Sequence, residues 1–297
     1  MAPHSDNSNR VLVTGLSGFT GQYVRDALAR RGYEAVDPRS LNPCFNLTAP
    51  ETVQETVNQA SCRFVIHLAA ISFVGHADAS AFYRVNTIGT DNLLAALARS
   101  AAPPQKVIVS SSANIYGNTD QFPINEETLP APTNHYACSK LAMEHITKQW
   151  FCQLPIIVTR PFNYTGRKQA ENFLIPKIVS HFRHRAKRLE LGNLDVIRDF
   201  SDVRMVAESY ARLLDSPLES QIFNICSGIG HSLRWIVEEC SRQTGHTLEL
   251  ISNPAFVRPN EIHRLVGCNK RLQEAVGDMP EYSMEQTLNW MLTSNSE

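Results

Sequence analysis

The sequence predicts an α/β fold, a doubly wound parallel sheet with a smaller mixed α/β lobe towards the C-terminus. Three observations predict it. Short apolar runs alternate with helix-period segments through the first half, the pattern of a parallel sheet covered by helices on both faces. A glycine-rich turn, Thr14-Gly15-Leu-Ser-Gly18-Phe19-Thr20-Gly21, joins the first apolar run to the first helical segment. After Arg160 the alternation breaks down, and proline and glycine become frequent.

Residues 11–14 read as a strand and 19–31 as a helix with Val24 and Leu28 on one face and Gly32 as its stop. A strand at 33–36, a helix at 50–59 and a buried strand at 64–68 follow. A helix covers roughly 81–100, a strand 106–110 and a long helix 135–153; a strand at 156–159 closes the series. Beyond it, helices are expected at 173–186, 202–215, 232–244 and 283–292, with an isolated strand at 222–225. The domain division follows: a flexible leader over 1–10, a dinucleotide-binding domain over 11–160, and a mainly substrate-binding lobe over 161–297, of which about 202–227 packs back on the first domain.

Composition narrows the function. The 297 residues are 43% apolar and 19% charged, enough for a real core. A net charge of −1 offers no basic field for nucleic acid or for a membrane surface. Anionic ligands must then be held by local groups. No apolar run is long enough to span a bilayer, and residues 1–10 have no apolar core of signal-peptide length. Cys44, Cys62, Cys138, Cys152, Cys226, Cys240 and Cys268 are odd in number and never spaced Cys-x-x-Cys. They read as reduced thiols of a cytoplasmic protein, and the ten histidines show no metal-ligand spacing.

The glycine turn points to a dinucleotide. Gly15 permits the tight turn, Gly18 lets backbone approach phosphate, and Gly21 allows close helix–strand packing. A pyrophosphate then rests on the N-terminus of the helix. At the end of the second strand stands Asp37-Pro38-Arg39. An acid there takes the ribose 2′-hydroxyl, and an arginine accommodates a 2′-phosphate. Counted from Gly32, Arg39 falls where the ribose carboxylate would stand, so NADPH is favoured and NAD(H) stays open.

The reaction centre lies a hundred residues on. Tyr136 and Lys140 are one turn apart on one helix face, and Ser112 ends a strand. Reducing a ketone requires a proton for the developing alkoxide, and a cation one turn away from a phenol is expected to lower its pKa. Ser112 is placed to hydrogen-bond the substrate oxygen.

On these motifs the chain resembles the extended short-chain dehydrogenase/reductase family over essentially its whole length. The signs are Thr14-Gly-x-x-Gly-x-x-Gly21, His67-Leu-Ala-Ala70, Ser110-Ser-Ser112-x-x-x-Tyr116-Gly117, Tyr136-x-x-x-Lys140 and Arg160-Pro-Phe-Asn163. The resemblance implies a Rossmann-type core and nicotinamide chemistry on a nucleotide sugar. It implies Ser112, Tyr136 and Lys140 as catalytic residues. It implies cofactor contacts from Gly15, Gly18, Phe19, Thr20, Gly21, Arg39, Asn46, Leu47, Leu68, Ala69, Ala70, Tyr136 and Lys140. A homodimer through the helices near 86–99 and 135–153 is also implied. In the second half, Gly192-Asn-Leu-Asp-Val-Ile-Arg-Asp-Phe-Ser-Asp-Val203, Phe223-Asn-Ile-Cys-Ser-Gly228 and Arg258-Pro-Asn-Glu261 look like the GDP-6-deoxy-D-mannose reductase branch, which makes GDP-D-rhamnose. That likeness implies substrate contacts from Ser112, Asn163, Arg198, Arg258 and Glu261.

Two departures bear on the reaction. Dehydratases of the family carry an Asp-Glu pair after the catalytic Ser/Thr, where this chain has Ala113-Asn114. The loop Gly166-Arg-Lys-Gln169 departs from the Gly-Pro-Gly-Gln usual in the reductases. The reading is therefore a 4-keto-6-deoxy-sugar nucleotide reductase. The alternatives are a C4 epimerase and, outside the enzymes, a fold-retaining redox sensor, which the presence of both Tyr136 and Lys140 argues against.

Overall fold

The computed structural model describes residues 9–257 and 260–293. Arg258 and residues 1–8 of the expected leader lie outside the described residues. The strands are β1 (Arg10–Thr14), β2 (Glu34–Val36), β3 (Phe64–His67), β4 (Lys106–Ser110), β5 (Ile156–Pro161), β6 (Asn163–Thr165), β7 (Arg188–Leu191), β8 (Ile197–Asp202), β9 (Gln221–Ile225), β10 (Gly230–Ser232), β11 (Glu249–Ser252) and β12 (Arg264–Leu265). The helices are α1 (Phe19–Arg30), α2 (Pro38–Leu41), α3 (Pro50–Ala60), α4 (Ala79–Phe82), α5 (Gly89–Ala98), α6 (His135–Gln149), α7 (Leu174–Arg183), α8 (Val203–Asp215), α9 (Leu233–Thr244), α10 (Lys270–Val276) and α11 (Met284–Leu292).

Six strands form one parallel sheet in the order β2-β1-β3-β4-β5-β9. β1, β3, β4 and β5 read as near-continuous apolar runs because both of their faces are covered. On one face Val24, Ala27 and Leu28 of α1 pack with Val206, Tyr210 and Leu214 of α8. On the other, Val53 of α3, Leu93 and Leu97 of α5 and Met143 of α6 close the core. From β1 the chain turns to β2 on one side and then crosses to β3 on the other. That reversal opens a crevice at the carboxyl ends of β1 and β3, where doubly wound sheets hold ligands.

The lobe is built around β8, which pairs antiparallel with β10 and parallel with β12 and β6. The α7, α9 and α11 helices bury Ile178, Phe182, Ile236, Cys240, Leu288 and Met291 in a core of their own.

Three expectations are corrected. The segment 222–225 is no isolated strand: β5 runs on to Pro161, and β9 hydrogen-bonds along it as the sixth strand of the main sheet. The helix expected over 81–100 is broken by a π-helical stretch at Tyr83–Ile88 between α4 and α5. The Asn86 side chain bonds both the N–H and the carbonyl of Ile71, and Thr87 Oγ1 donates to Ser139 O. These distant partners hold the wider turn against helix periodicity. The long helix ends at Gln149, four residues early, with Trp150 as its cap. Smaller differences follow the same pattern: β1 begins at Arg10, inside the expected leader, and α2 lies in what the sequence left as loop.

Candidate active site

At the end of β1 the chain turns through Gly15, whose φ of +78° an L side chain rarely adopts; a Cβ there would lie 2.9 Å from Ala69 N. At Gly21 a Cβ would lie 2.4 Å from Gly15 O, so the turn and the first turn of α1 close only with glycine. The cap of α1, Gly18, brings no side-chain acceptor, which leaves the first-turn N–H groups to an outside anion. Phe19 and Thr20 are the first two residues of that turn. These residues fit a dinucleotide pyrophosphate.

Across the crevice, Leu68, Ala69 and Ala70 follow β3. Ala69 N–H donates to Thr14 Oγ1 at 3.2 Å, Thr14 Oγ1 meets His67 Nδ1 at 2.6 Å, and His67 Nε2 meets Thr90 Oγ1 at 2.9 Å. Thr90 itself donates to Asn86 O. Each group is satisfied once when Thr14 donates to Nδ1 and the neutral imidazole carries its proton on Nε2, a tautomer inferred from the network. Burial, with the nearby Lys140, holds the His67 pKa down to about 3, so the ring stays neutral. The hydrogen-bond series runs on to Tyr136: Asn86 Nδ2 donates to Ser139 Oγ, which donates to Tyr136 O.

At the end of β2, Asp37 caps α2, its carboxylate accepting from Arg39 N at 2.9 Å. The acid is thus engaged in the turn, and Arg39 is exposed beside it. Asn46 Oδ1 accepts the Thr48 N–H, holding the loop before α3. The Leu47 side chain lies in the core, 7% exposed, and its carbonyl accepts from Asn92.

Ser112, Tyr136 and Lys140 come together beyond β4, all buried. Ser112 Oγ accepts from Asn114 N and from Asn114 Nδ2, each at 3.2 Å. Its lone pairs are so occupied that its own proton is left to donate. Lys140 Nζ donates to Ser110 O at 2.7 Å, and burial lowers its pKa to about 8 against a smaller opposing effect of Glu144. The expected lowering of the Tyr136 pKa is corrected here. Burial pushes the phenol up to about 12, a hydrogen bond with Ser112 opposes this, and nearby Tyr164 adds to the rise. Lys140 faces a carbonyl instead, so burial wins.

On the lobe side, Asn163 Oδ1 and Glu261 Oε2 are buried acceptors with no hydrogen-bond partner among the described residues. An orphaned buried acceptor is costly unless a ligand fills it. Arg198 donates to Ile197 O, His263 O and Ile262 O, which ties β8 to the segment carrying Glu261. The neighbouring Asp199 accepts instead from Ser227 N and Oγ, Gly228 N and Gly267 N. The Arg-Asp neighbours are therefore no mutual salt bridge.

Sequence reading missed Tyr164, Tyr210 and Asn86. Tyr164 OH lies 2.8 Å from Thr20 Oγ1, and Tyr210 OH lies 2.7 Å from Ser110 Oγ. Their partners are about a hundred or more residues away, beyond any local pattern. Among the described residues no cluster of metal-ligating side chains occurs, and no helix is long and apolar enough to cross a membrane.

The fold and the comparisons together define an NAD(P)-dependent enzyme of nucleotide-sugar metabolism. The chain belongs to the NAD dependent epimerase/dehydratase family, whose pattern matches residues 11–226. It is 37% identical over 269 residues to GDP-6-deoxy-D-talose 4-dehydrogenase of Aggregatibacter actinomycetemcomitans, covering 91% of this chain and 92% of that protein. It is 34% identical over 300 residues to GDP-6-deoxy-D-mannose reductase of Pseudomonas aeruginosa, covering 96% and 97%. The structure of RMD from Pseudomonas aeruginosa complexed with NADPH superposes with a TM-score of 0.87 at 32% identity, covering 96% of this chain and 98% of that one.

Proposed function

We propose that the protein reduces the C4 ketone of GDP-4-keto-6-deoxy-D-mannose with NADPH, giving GDP-D-rhamnose. The observation that carries this reading is the meeting of Ser112, Tyr136 and Lys140 beside the glycine turn, with the unpartnered acceptors Asn163 and Glu261 on the lobe side. Reduced nicotinamide supplies the hydride when bound. Tyr136 gives its proton to the oxygen that becomes the C4 hydroxyl, and Ser112 donates a hydrogen bond to the same oxygen. Lys140, anchored on Ser110 O, would hold the nicotinamide ribose.

The lobe would hold the nucleotide sugar. Arg258 suits the diphosphate because a guanidinium binds such groups bidentately, and Glu261 suits ribose hydroxyls. Arg198, whose guanidinium donates to three backbone carbonyls, would act by holding the Glu261 segment. Arg39, exposed beside a committed Asp37, favours NADPH over NADH. Ala113-Asn114 offers no carboxylate pair for elimination, and Asn114 is used in holding Ser112.

The talose relative favours a second reading of the product. 6-Deoxy-D-talose and D-rhamnose are C4 epimers, so hydride on the opposite face of the same ketone gives the other sugar. Incubation with the keto sugar and NADPH, followed by NMR of the product, tests both: NADPH consumption with reduction at C4 supports the proposal, and the H4 couplings assign the face.

A further inference from the structure

Tyr164 is a half-buried phenol that the proposed reduction leaves without a task. Its backbone belongs to the lobe: β6 pairs with β8, Tyr164 opposite Ser201. Its side chain reaches the other way, onto the first turn of α1. The ring lies nearly parallel to that of Phe19, centroids 6.1 Å apart and planes 12° apart, and the hydroxyl lies 2.8 Å from Thr20 Oγ1. The Thr20 hydroxyl makes no other hydrogen bond among the described residues. A second tether lies one turn on, where Tyr23 OH donates to Arg167 O at 2.7 Å. Arg167 donates to Trp290 O, and its guanidinium covers the Trp290 ring at 5.1 Å. Arg167 stands in the loop that departs from the usual reductase sequence. Here that loop is a strap between the anion-binding end of α1 and the C-terminal helix α11.

We propose that Tyr164 is a positioning residue for the dinucleotide, acting through Thr20; this rests on the reading of the glycine turn as a pyrophosphate site. A phenol is a stronger acid than an aliphatic alcohol, so in the pair Tyr164 donates and Thr20 accepts. The Thr20 proton is then free to point at an anion on the α1 N-terminus, beside the unsatisfied N–H groups of the first turn. Without the phenol hydroxyl, the Thr20 rotor loses its fixed direction, and a charge-assisted hydrogen bond to phosphate is weakened. Because the phenol comes from the strand beside β8, the same contact ties lobe position to cofactor occupancy.

The test is a double-mutant cycle read by binding rather than turnover. NADPH and GDP affinities are measured calorimetrically for wild type, Tyr164→Phe, Thr20→Val and the double variant. Tyr164→Phe should weaken NADPH about tenfold, which is about 1.4 kcal/mol, with GDP affinity within about twofold of wild type. The double variant should be no worse than Thr20→Val, since the phenol works only through that hydroxyl. Wild-type NADPH affinity in Tyr164→Phe overturns the proposal, as do fully multiplicative losses. Equal weakening of NADPH and GDP also overturns it, as the sign of a merely loosened lobe. Wild type that binds neither NADPH nor NADH overturns the dinucleotide reading itself, a failure visible before any variant is made.

Discussion

Tyr136 sits in a buried surround that favours its protonated form, which in the proposed reduction would give its proton to the nascent alkoxide. With the phenol pushed up to about 12, it acts as an acid only towards a strong base such as a nascent alkoxide. Tyr136→Phe should lower kcat by about 10²-fold or more and leave NADPH affinity within a few-fold of wild type. Retention of a tenth of the activity would reassign the proton donor. Arg39→Ala should remove most of an NADPH preference over NADH of roughly tenfold to hundredfold in kcat/KM, the worth of one charge-assisted contact. Equal use of both cofactors by wild type would return Asp37 to the ribose. His67 adds a pH signature. Its folded pKa of about 3 lies below the ordinary 6.5, so the unfolded chain takes up a proton that the native state refuses. Stability from neutral His67 is complete above pH 6.5 and falls as pH drops towards 3. Urea unfolding at about pH 7 and about pH 5 should show the deficit of His67→Gln shrinking by up to about 2 kcal/mol at the lower pH. A constant deficit would contradict a neutral buried imidazole. At this scale the glycine turn and the one-turn spacing of Tyr136 and Lys140 on α6 were legible because each obeys a local spacing. The sense of the Tyr136 shift was not, because burial is set by tertiary packing.

Elements carry the site through partners that the local pattern does not show. The α6 helix was legible from its start, yet its end and the π-helical stretch facing it depend on contacts from Asp91 to Trp150 and from Asn86 to Ile71. The same holds for β9, whose apolar core reads as a strand but whose place in the sheet is fixed by the length of β5. The α6 helix is joined to β5 by a buried ion pair, Arg160 with Glu144, bidentate at 2.9 and 2.7 Å. Arg160 also donates to Tyr116 OH, which donates to Asn224 on β9. Arg160→Met would leave the Glu144 carboxylate buried and unpaired and should cost about 3–5 kcal/mol in urea unfolding. Adding Glu144→Leu should recover most of that loss. A single variant as stable as wild type would show that water reaches the pair.

The whole molecule places a doubly wound parallel sheet beside a lobe built on β8, and the unpartnered acceptors Asn163 and Glu261 belong to the lobe side. The parallel sheet followed from alternation alone. The lobe's short strands did not, since three- and two-residue strands carry too little pattern to register. A homodimer is expected through α5 and α6. Leu93, Leu94 and Leu97 are buried against the sheet, so the contact must come from other residues of that face, such as the half-exposed Ile88. Sedimentation at micromolar concentration should give twice the 33.2 kDa chain mass, and a monomer would exclude the arrangement.

Net reduction at C4 is read in a single incubation. Purified protein is incubated with GDP-4-keto-6-deoxy-D-mannose and NADPH, following absorbance and then product NMR. NADPH should be oxidised stoichiometrically, with a GDP-6-deoxyhexose altered at C4 only and C3 and C5 unchanged. No NADPH oxidation with any 4-keto sugar nucleotide, or interconversion of C4 epimers without net redox change, would contradict it.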